Sequence, residues 1–184
     1  MPSNTSVFGL GDPSAQLKLY IANRPDFADY SNVTTVKPLV KGDIQQIGQA
    51  CGNGWRKVFN VYAKLVFALN TESLVPLNGA DTWQVFRDNF LLQHSSNTSL
   101  VFSAPQTFLI NGKNSPSIHI IMGKTYGKSL GLPPTLHWLD SEFAVDVSNK
   151  LLVCPYFDYR QLSNIKIIRL VELITQLHSG KIPT

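Results

Sequence analysis

The chain has few of the residues that bind metals or form disulfides. It contains two cysteines, Cys51 and Cys154, and four histidines, none of them in a C-x-x-C or H-x-x-x-H pattern. Two thiols cannot build a disulfide framework, and a structural zinc site needs closely spaced cysteine or histidine pairs. We therefore expect reduced thiols, no metal and no cofactor.

Long apolar runs and dense charged tracts are also missing. No run of about 18 apolar residues occurs, so we expect no transmembrane helix and no membrane partner. The polar segment 1–13 lacks the basic-then-apolar pattern of a signal peptide, which favours a cytoplasmic protein. The net charge of +4 comes from scattered Lys and Arg residues. Such a mild excess permits a nucleic-acid partner without requiring one.

The sequence does have enough apolar residues for one full core. A length of 184 residues with 43% hydrophobic and 15% charged residues is typical of one globular domain. We expect a single domain over 1–184, with 1–15 irregular.

Short apolar strands alternate with amphipathic helices along the chain. The clearest helix has apolar residues at i, i+3, i+4 and i+7 from Trp55 to Leu69. Asp43 is expected to cap the helix before it, and the last helix, apolar on most sides, should be largely buried. Strands are predicted at 17–22, 99–103, 107–110, 117–122, 137–139, 143–147 and 150–154. Helices are predicted at 43–51, 53–69, 82–91, 123–130 and 164–178.

This alternation predicts an α/β fold. The expected architecture is a three-layer α/β/α domain around a central, mostly parallel sheet of about four or five strands.

Polar loops follow three of the predicted strands, at 23–26, 123–126 and 154–164. The carboxyl ends of parallel strands share one edge, so these loops should line one crevice. Helix N-termini in that crevice would favour a phosphate-bearing ligand. Taken singly, each loop is equally explained by turn and capping chemistry.

Two smaller features admit more than one interpretation. The segment 51–57, Cys-Gly-Asn-Gly-Trp-Arg-Lys, is either an anion cradle or a helix break. Its cations oppose the helix dipole, so a bound anion or a neighbouring carboxylate should compensate them. Cys154 follows an apolar strand, which favours a structural thiol over a nucleophile. Asp26 and Asp158 could form a carboxylate pair across the crevice.

Several short motifs occur in the order found in a known superfamily. The segments are Ile21-Ala-Asn-Arg-Pro25, Pro38-Leu-Val-Lys-Gly42, Trp83-Gln-Val-Phe-Arg-Asp88, 121–130 and Leu152-Val-Cys-Pro-Tyr156. Together they resemble motifs of the uracil-DNA glycosylase superfamily. The resemblance implies a central four-stranded parallel sheet between helices.

The resemblance also implies roles for individual residues. Asn23, with Asp26, would position a water molecule against the sugar. Leu39 stands where the family has a stacking aromatic, and Asn78 would lie near the base-reading position. Cys154 replaces the motif histidine that stabilises the departing base. The base pocket would then comprise Leu39, Asn78, Cys154 and Tyr156, and the contacts to phosphate or nucleic acid would come from Arg24, Lys124, Asp158, Arg160 and Gln161.

Three functions are consistent with these residues. The resemblance implies a hydrolase that binds a nucleobase or DNA and cleaves an N-glycosidic bond. Because a thiol donates hydrogen bonds weakly, the alternative is a catalytically inactive domain that binds nucleic acid, a nucleotide or a protein. The third is an unrelated α/β enzyme that acts on a phosphorylated small molecule.

Overall fold

In the computed structural model, residues 6–71, 73–106 and 115–181 are described. Within them the fold is α/β, with one mixed, mostly parallel sheet of eight strands and five α-helices. The strands are β1 Gly9–Gly11, β2 Leu17–Tyr20, β3 Val36–Lys37, β4 Thr98–Val101, β5 Ile118–Met122, β6 His137–Trp138, β7 Ala144–Asp146 and β8 Leu151–Cys154. The α-helices are α1 Asp43–Cys51, α2 Asn53–Leu69, α3 Trp83–Asn89, α4 Lys124–Ser129 and α5 Asn164–His178. The strand predicted at 107–110 lies outside the described residues.

The sheet has the strand order β3-β1-β4-β2-β5-β8-β7-β6. Its centre, β4-β2-β5-β8, is parallel throughout. Outside this centre, β1 runs antiparallel to β4, and β7 runs antiparallel to β8. The predicted sheet of four or five strands thus matches the centre; short strands were also predicted where β6 and β7 lie, whereas β1 and β3 were not predicted.

The strand β1 corrects the prediction that 1–15 is irregular. A Cβ atom at Gly9 would lie 2.2 Å from the Leu100 carbonyl oxygen, so only glycine allows this approach of β1 to β4. Flanking glycines normally weaken a strand. For that reason β1 carries no strand signal in the sequence.

The predicted helices are all present, but two details differ. Gly42, with φ 99°, precedes α1, and the Asp43 carboxylate accepts a hydrogen bond from the Val40 N–H at 2.9 Å instead of capping the helix. In α5, Ile165 is 80% exposed and Ile168 is 59% exposed. That helix therefore has one open face, contrary to the expectation that it is largely buried.

The two faces of the sheet are covered differently. On the first face, Leu17 and Leu19 of β2 belong to the large apolar core that includes α2 and α5. The Tyr62 hydroxyl of α2 is buried there and donates to the Ser99 carbonyl at 3.0 Å. On the second face, α4 packs so closely that a Cβ at Gly127 would lie 3.0 Å from Val153 Cγ1.

The central strands β2, β5 and β8 end at one edge of the sheet because they are parallel. The chain leaves β5 through Gly123 into α4 and leaves β8 through Pro155 toward α5. This edge is the natural place for a ligand crevice in an open α/β sheet.

Candidate functional site: a cleft at the carboxyl edge of the sheet

A cleft of about 760 Å³ lies at the carboxyl ends of β2, β5 and β8. We call it the carboxyl-edge cleft. Two of the three polar loops singled out in the sequence contribute to it, and the loop after β2 contributes Ala22. Its lining residues are Ala22, Met122, Gly123, Lys124, Thr125, Tyr126, Ser129, Glu142, Pro155, Tyr156, Arg160, Gln161 and Lys166.

Tyr156 forms one wall of the cleft immediately after β8. Its ring lies beside Gly123, where a Cβ would be 3.8 Å from Tyr156 Cδ2. The Asn23 side chain lies close to the Tyr156 hydroxyl. Burial raises the pKa of this tyrosine above its usual value, with a smaller, opposing effect from Asn23. The hydroxyl is therefore neutral at physiological pH and available as a donor or acceptor.

The helix α4 forms the opposite wall. Tyr126 is half-buried, and burial raises the pKa of its hydroxyl. Lys124 begins the helix; its Nζ donates to the Ser141 carbonyl at 2.7 Å and lies 5.4 Å from the centroid of the Trp138 ring. Lys124 thus ties the β6–β7 turn to the rim of the cleft.

The cleft carries an excess of positive charge. Lys166 and Glu142 form an ion pair of 2.6 Å within its lining. Arg160 is exposed and, among the described residues, its guanidinium makes no hydrogen bond or ion pair. Three cations and one carboxylate leave a net charge of about +2. An anionic group is the ligand that such a lining favours.

Asp158 compensates Lys57, one of the two cations at the start of α2. Its carboxylate pairs with Lys57 at 2.8 Å and accepts from the Arg160 N–H at 2.9 Å. The Lys57 hydrogen bond is the main reason that the pKa of Asp158 lies below its usual value. The sequence led us to expect either a bound anion or a neighbouring carboxylate beside the segment 51–57. The structure has the carboxylate, that of Asp158, beside Lys57. Asp158 itself does not line the cleft.

Three residues expected near the site lie elsewhere. Arg24 turns toward β1, with its guanidinium 4.3 Å from the centroid of the Phe8 ring. Asp26 contacts Cys51 at the end of α1, so the structure does not pair it with Asp158. Leu39 is buried in the core, where its N–H donates to the Leu92 carbonyl at 2.9 Å.

Asn78 lies in the loop after α2, near the start of β4 and so at the end of the sheet opposite the carboxyl-edge cleft. In that loop the Leu74 carbonyl accepts from the Asn97 side chain, directly before β4, and Ser73 contacts His178 at the end of α5. The Asn78 side chain donates to the Pro76 carbonyl at 3.3 Å. The structure does not bring Asn78 to the cleft.

Cys154 is a buried structural thiol. It is fully buried, and its S–H donates to the Ile121 carbonyl at 3.8 Å. Burial raises the pKa of the thiol well above its usual value. The side chain joins the core on the first face of the sheet and does not line the cleft. A buried thiol of high pKa is inert as a nucleophile.

The sequence reasoning missed Glu142, Lys166 and Ser129 in the lining. Glu142 lies in a turn between two very short strands, so nothing local marks it as a site residue. Lys166 is in the first turn of α5, where its charge opposes the helix dipole. That unfavourable position was the one available signal, and the Glu142 carboxylate accounts for it.

The described part of the chain contains no group of three or more His, Cys, Asp or Glu side chains arranged to hold a metal ion. No helix in the same residues is both long and apolar enough to cross a bilayer.

Comparison with known proteins assigns the chain to a family but not to an activity. The chain belongs to the DUF6942 family, a family of unknown function, whose model matches residues 8–175. No curated protein and no solved structure matches the chain. None of these comparisons connects it to the uracil-DNA glycosylase superfamily, so that resemblance remains a prediction.

Proposed function

For this member of a family of unknown function, we propose that the carboxyl-edge cleft binds a nucleotide and does so without catalysis. The observation that carries the proposal is one cleft in which two tyrosine walls, Tyr126 and Tyr156, stand beside the unpaired guanidinium of Arg160. Aromatic rings stack on nucleobases, and Arg is the side chain best suited to bidentate phosphate binding.

The dimensions of the cleft fit this ligand. Pockets for small molecules occupy about 300–1,000 Å³, and the cleft has about 760 Å³. The base would lie between the rings of Tyr126 and Tyr156. The phosphate would form ion pairs with Arg160 and Lys124. Gln161, also in the lining, offers one donor and one acceptor for the edge of a base.

The same geometry argues against glycosidic cleavage. Departure of a base needs a donor at the developing negative charge, and a missing donor of this kind costs about 10²–10³ in rate. Cys154 stands in the position of that donor, yet its thiol is buried and bonded to the Ile121 carbonyl. Asp26 and Leu39 also lie away from the cleft. A binding protein therefore agrees better with the contacts than a hydrolase.

One observation supports N-glycosidic hydrolysis as a second candidate. Asn23 leaves the end of β2 and contacts Tyr156 at the cleft, so it could position water there. The four parallel central strands, with α2 and α5 on one face and α4 on the other, agree with the α/β/α layers that the superfamily resemblance implies.

Calorimetric titration tests the binding proposal. The ligands are uridine and adenosine 5′-monophosphates, the matching nucleosides, and ribose 5-phosphate. We expect the monophosphates to bind more tightly than the nucleosides or ribose 5-phosphate. The nucleosides lack the phosphate that contacts Arg160, and ribose 5-phosphate lacks the base that stacks on the tyrosines. Equal affinity of nucleotide and ribose phosphate would remove the role of the tyrosine walls.

A cleavage assay on oligonucleotides containing uracil, hypoxanthine or xanthine tests the second candidate, with Asn23→Ala as its matched variant. The binding proposal expects no released base from either protein. Release by the wild type that Asn23→Ala abolishes would establish hydrolysis instead.

A further inference from the structure

Three polar side chains form a row across the second face of the sheet. Lys18 of β2 is the register partner of Ser99 of β4 on one side and of His119 of β5 on the other. Side chains alternate between faces along a strand, and Val101 and Ile121, each two positions further on, pack in the apolar cluster of the second face. Neighbouring strands are about 4.8 Å apart, so the row brings three polar groups close together.

The first two members of the row, one buried and one partly buried, are donors that have no acceptor among the described residues. Ser99 is 2% exposed, and its hydroxyl makes no hydrogen bond within the part of the chain that the structure describes. Lys18 is partly buried and has no ion pair or hydrogen bond with the described residues. Burial lowers the pKa of its ammonium group, which is the expected consequence of desolvation without a counter-ion.

The carboxylate in the same row cannot supply that counter-ion. In this row His119 pairs with Leu151 of β8, and Leu151 pairs with Asp146 of β7. Asp146 is therefore three strands, about 14 Å, away from Lys18. Its oxygens already accept hydrogen bonds from Thr135 at 2.5 Å and from the Asn149 side chain at 2.8 Å.

His119 adds a third donor to the row. Its Nδ1 lies 2.7 Å from the Tyr20 hydroxyl. Burial, with a smaller contribution from Lys18, lowers the pKa of His119 to about 3, so its ring is neutral at physiological pH. Burial also raises the pKa of Tyr20 far above its usual value. A phenol is the better donor and an imidazole nitrogen the better acceptor, so Tyr20 donates to Nδ1 and the ring proton lies on Nε2.

We propose that Ser99, Lys18 and His119 form a binding site for a small oxyanion such as phosphate. Three donors, one of them charged, lie side by side on the second face, and neither Ser99 nor Lys18 has an acceptor among the described residues. An oxyanion would supply the missing acceptors, satisfy the buried Ser99 hydroxyl and offset the desolvation of Lys18. None of the three residues lines the carboxyl-edge cleft, and the site does not depend on the function proposed for that cleft.

Nuclear magnetic resonance of the histidine side chains tests this site. The full chain, labelled with ¹⁵N, is titrated with inorganic phosphate at pH 7, against sodium chloride of equal ionic strength. We expect the Nε2–H resonance of His119 to shift and saturate with phosphate but not with chloride. No shift at about 50 mM phosphate, well above a millimolar Kd, would overturn the proposal.

Two variants separate this site from the cleft. Lys18→Met should abolish the saturable shift of His119, whereas Arg160→Gln, which alters the cleft, should retain it. A shift lost in Arg160→Gln would assign the phosphate to the cleft and overturn the proposal. If Lys18→Met does not fold, Ser99→Ala replaces it and should weaken phosphate binding about tenfold, the value of one hydrogen bond to a charged group.

Discussion

The carboxyl-edge cleft and the groove between α1 and α3 both carry arginines but use them differently. The groove, about 390 Å³ in volume, is lined by Arg56 and Arg87. Arg87 donates to both Asp88 oxygens and to Asn60 Oδ1 at 2.6 Å. Arg56 donates to Asn53 at 3.3 Å. In the cleft, by contrast, Arg160 has no such partner among the described residues.

This difference teaches that charge alone does not mark a site. An arginine bonded to its own protein would have to break those bonds before it could bind a ligand, whereas Arg160 would not. The cleft also has two tyrosines in its lining, while Phe59 is the aromatic residue of the groove. The comparison can be tested by changing one region and using the other as its control.

The largest effect is expected from Gly127→Leu. Gly127 of α4 is buried against Val153, and a side chain there must push the helix off the sheet. We expect the free energy of unfolding to fall by about 1–3 kcal/mol, as for other overpacked cores. The displaced α4 should also weaken nucleotide binding at least tenfold, about 1.4 kcal/mol. Chemical denaturation and calorimetric titration measure the two effects.

Gly54→Leu is the matched control, because Gly54 is exposed near the start of α2 with open space around its Cβ position. Replacing a helical glycine there should stabilise by about 0.5–1 kcal/mol. Equal destabilisation by the two variants would contradict the packing assigned to α4.

The next effect in size is expected from Arg160→Gln. Removing the unpaired guanidinium should weaken binding of a 5′-monophosphate about 10- to 100-fold, the value of a hydrogen bond to a charged group. Stability should hardly change, because Arg160 is exposed. Arg56→Gln, the same change in the groove, should leave affinity unaltered. Similar losses in both variants would mean that binding responds only to overall charge.

Glu142→Gln should have a smaller effect of opposite sign. It removes the carboxylate that holds Lys166 at 2.6 Å, so this lysine becomes available to a phosphate. The partly exposed ion pair contributes about 0–1 kcal/mol, which corresponds to a gain in nucleotide affinity of up to about fivefold. A loss of affinity would show that Glu142 itself contacts the ligand.

The smallest effect concerns the pH dependence of stability in Lys57→Met. Lys57 lowers the pKa of Asp158 in the folded protein. The ion pair therefore contributes to the free energy of unfolding above about pH 3.8, the usual pKa of the carboxyl group, and this contribution is lost as the pH falls through the lower pKa of the folded state. Without Lys57 that pKa should move back toward 3.8, and the acid-dependent part of the stability should shrink. Urea unfolding between about pH 2.5 and 7 measures this difference. Superimposable acid profiles would contradict the Lys57 contact.

The sequence predicted the centre of the fold better than its margins. Helical periodicity located α2, and apolar runs located β5 and β8, because these signals arise from burial in a continuous core. The strands β1 and β3 escaped prediction because β1 is stabilised by pairing with distant β4, and β3 by pairing with β1. No local pattern reports such pairing.

The candidate site was predictable in part for the same reason. Convergence of the loops at 123–126 and 154–164 follows from parallel topology, and both contribute to the cleft. Side-chain direction was harder to predict. Cys154 faces the core on the first face, whereas Tyr156, two residues on, has left the strand and lines the cleft. The Glu142–Lys166 pair spans 24 residues, so neither partner has a local signature.

The central claim is that a nucleotide binds in the carboxyl-edge cleft and not in the groove between α1 and α3. A backbone amide titration of the ¹⁵N-labelled protein with uridine 5′-monophosphate tests it most directly. The account predicts saturable shifts at Gly123, Tyr126 and Gln161, with Gly48 and Asp88 of the groove unchanged. Shifts confined to the groove, or no saturable shift at all, would contradict it.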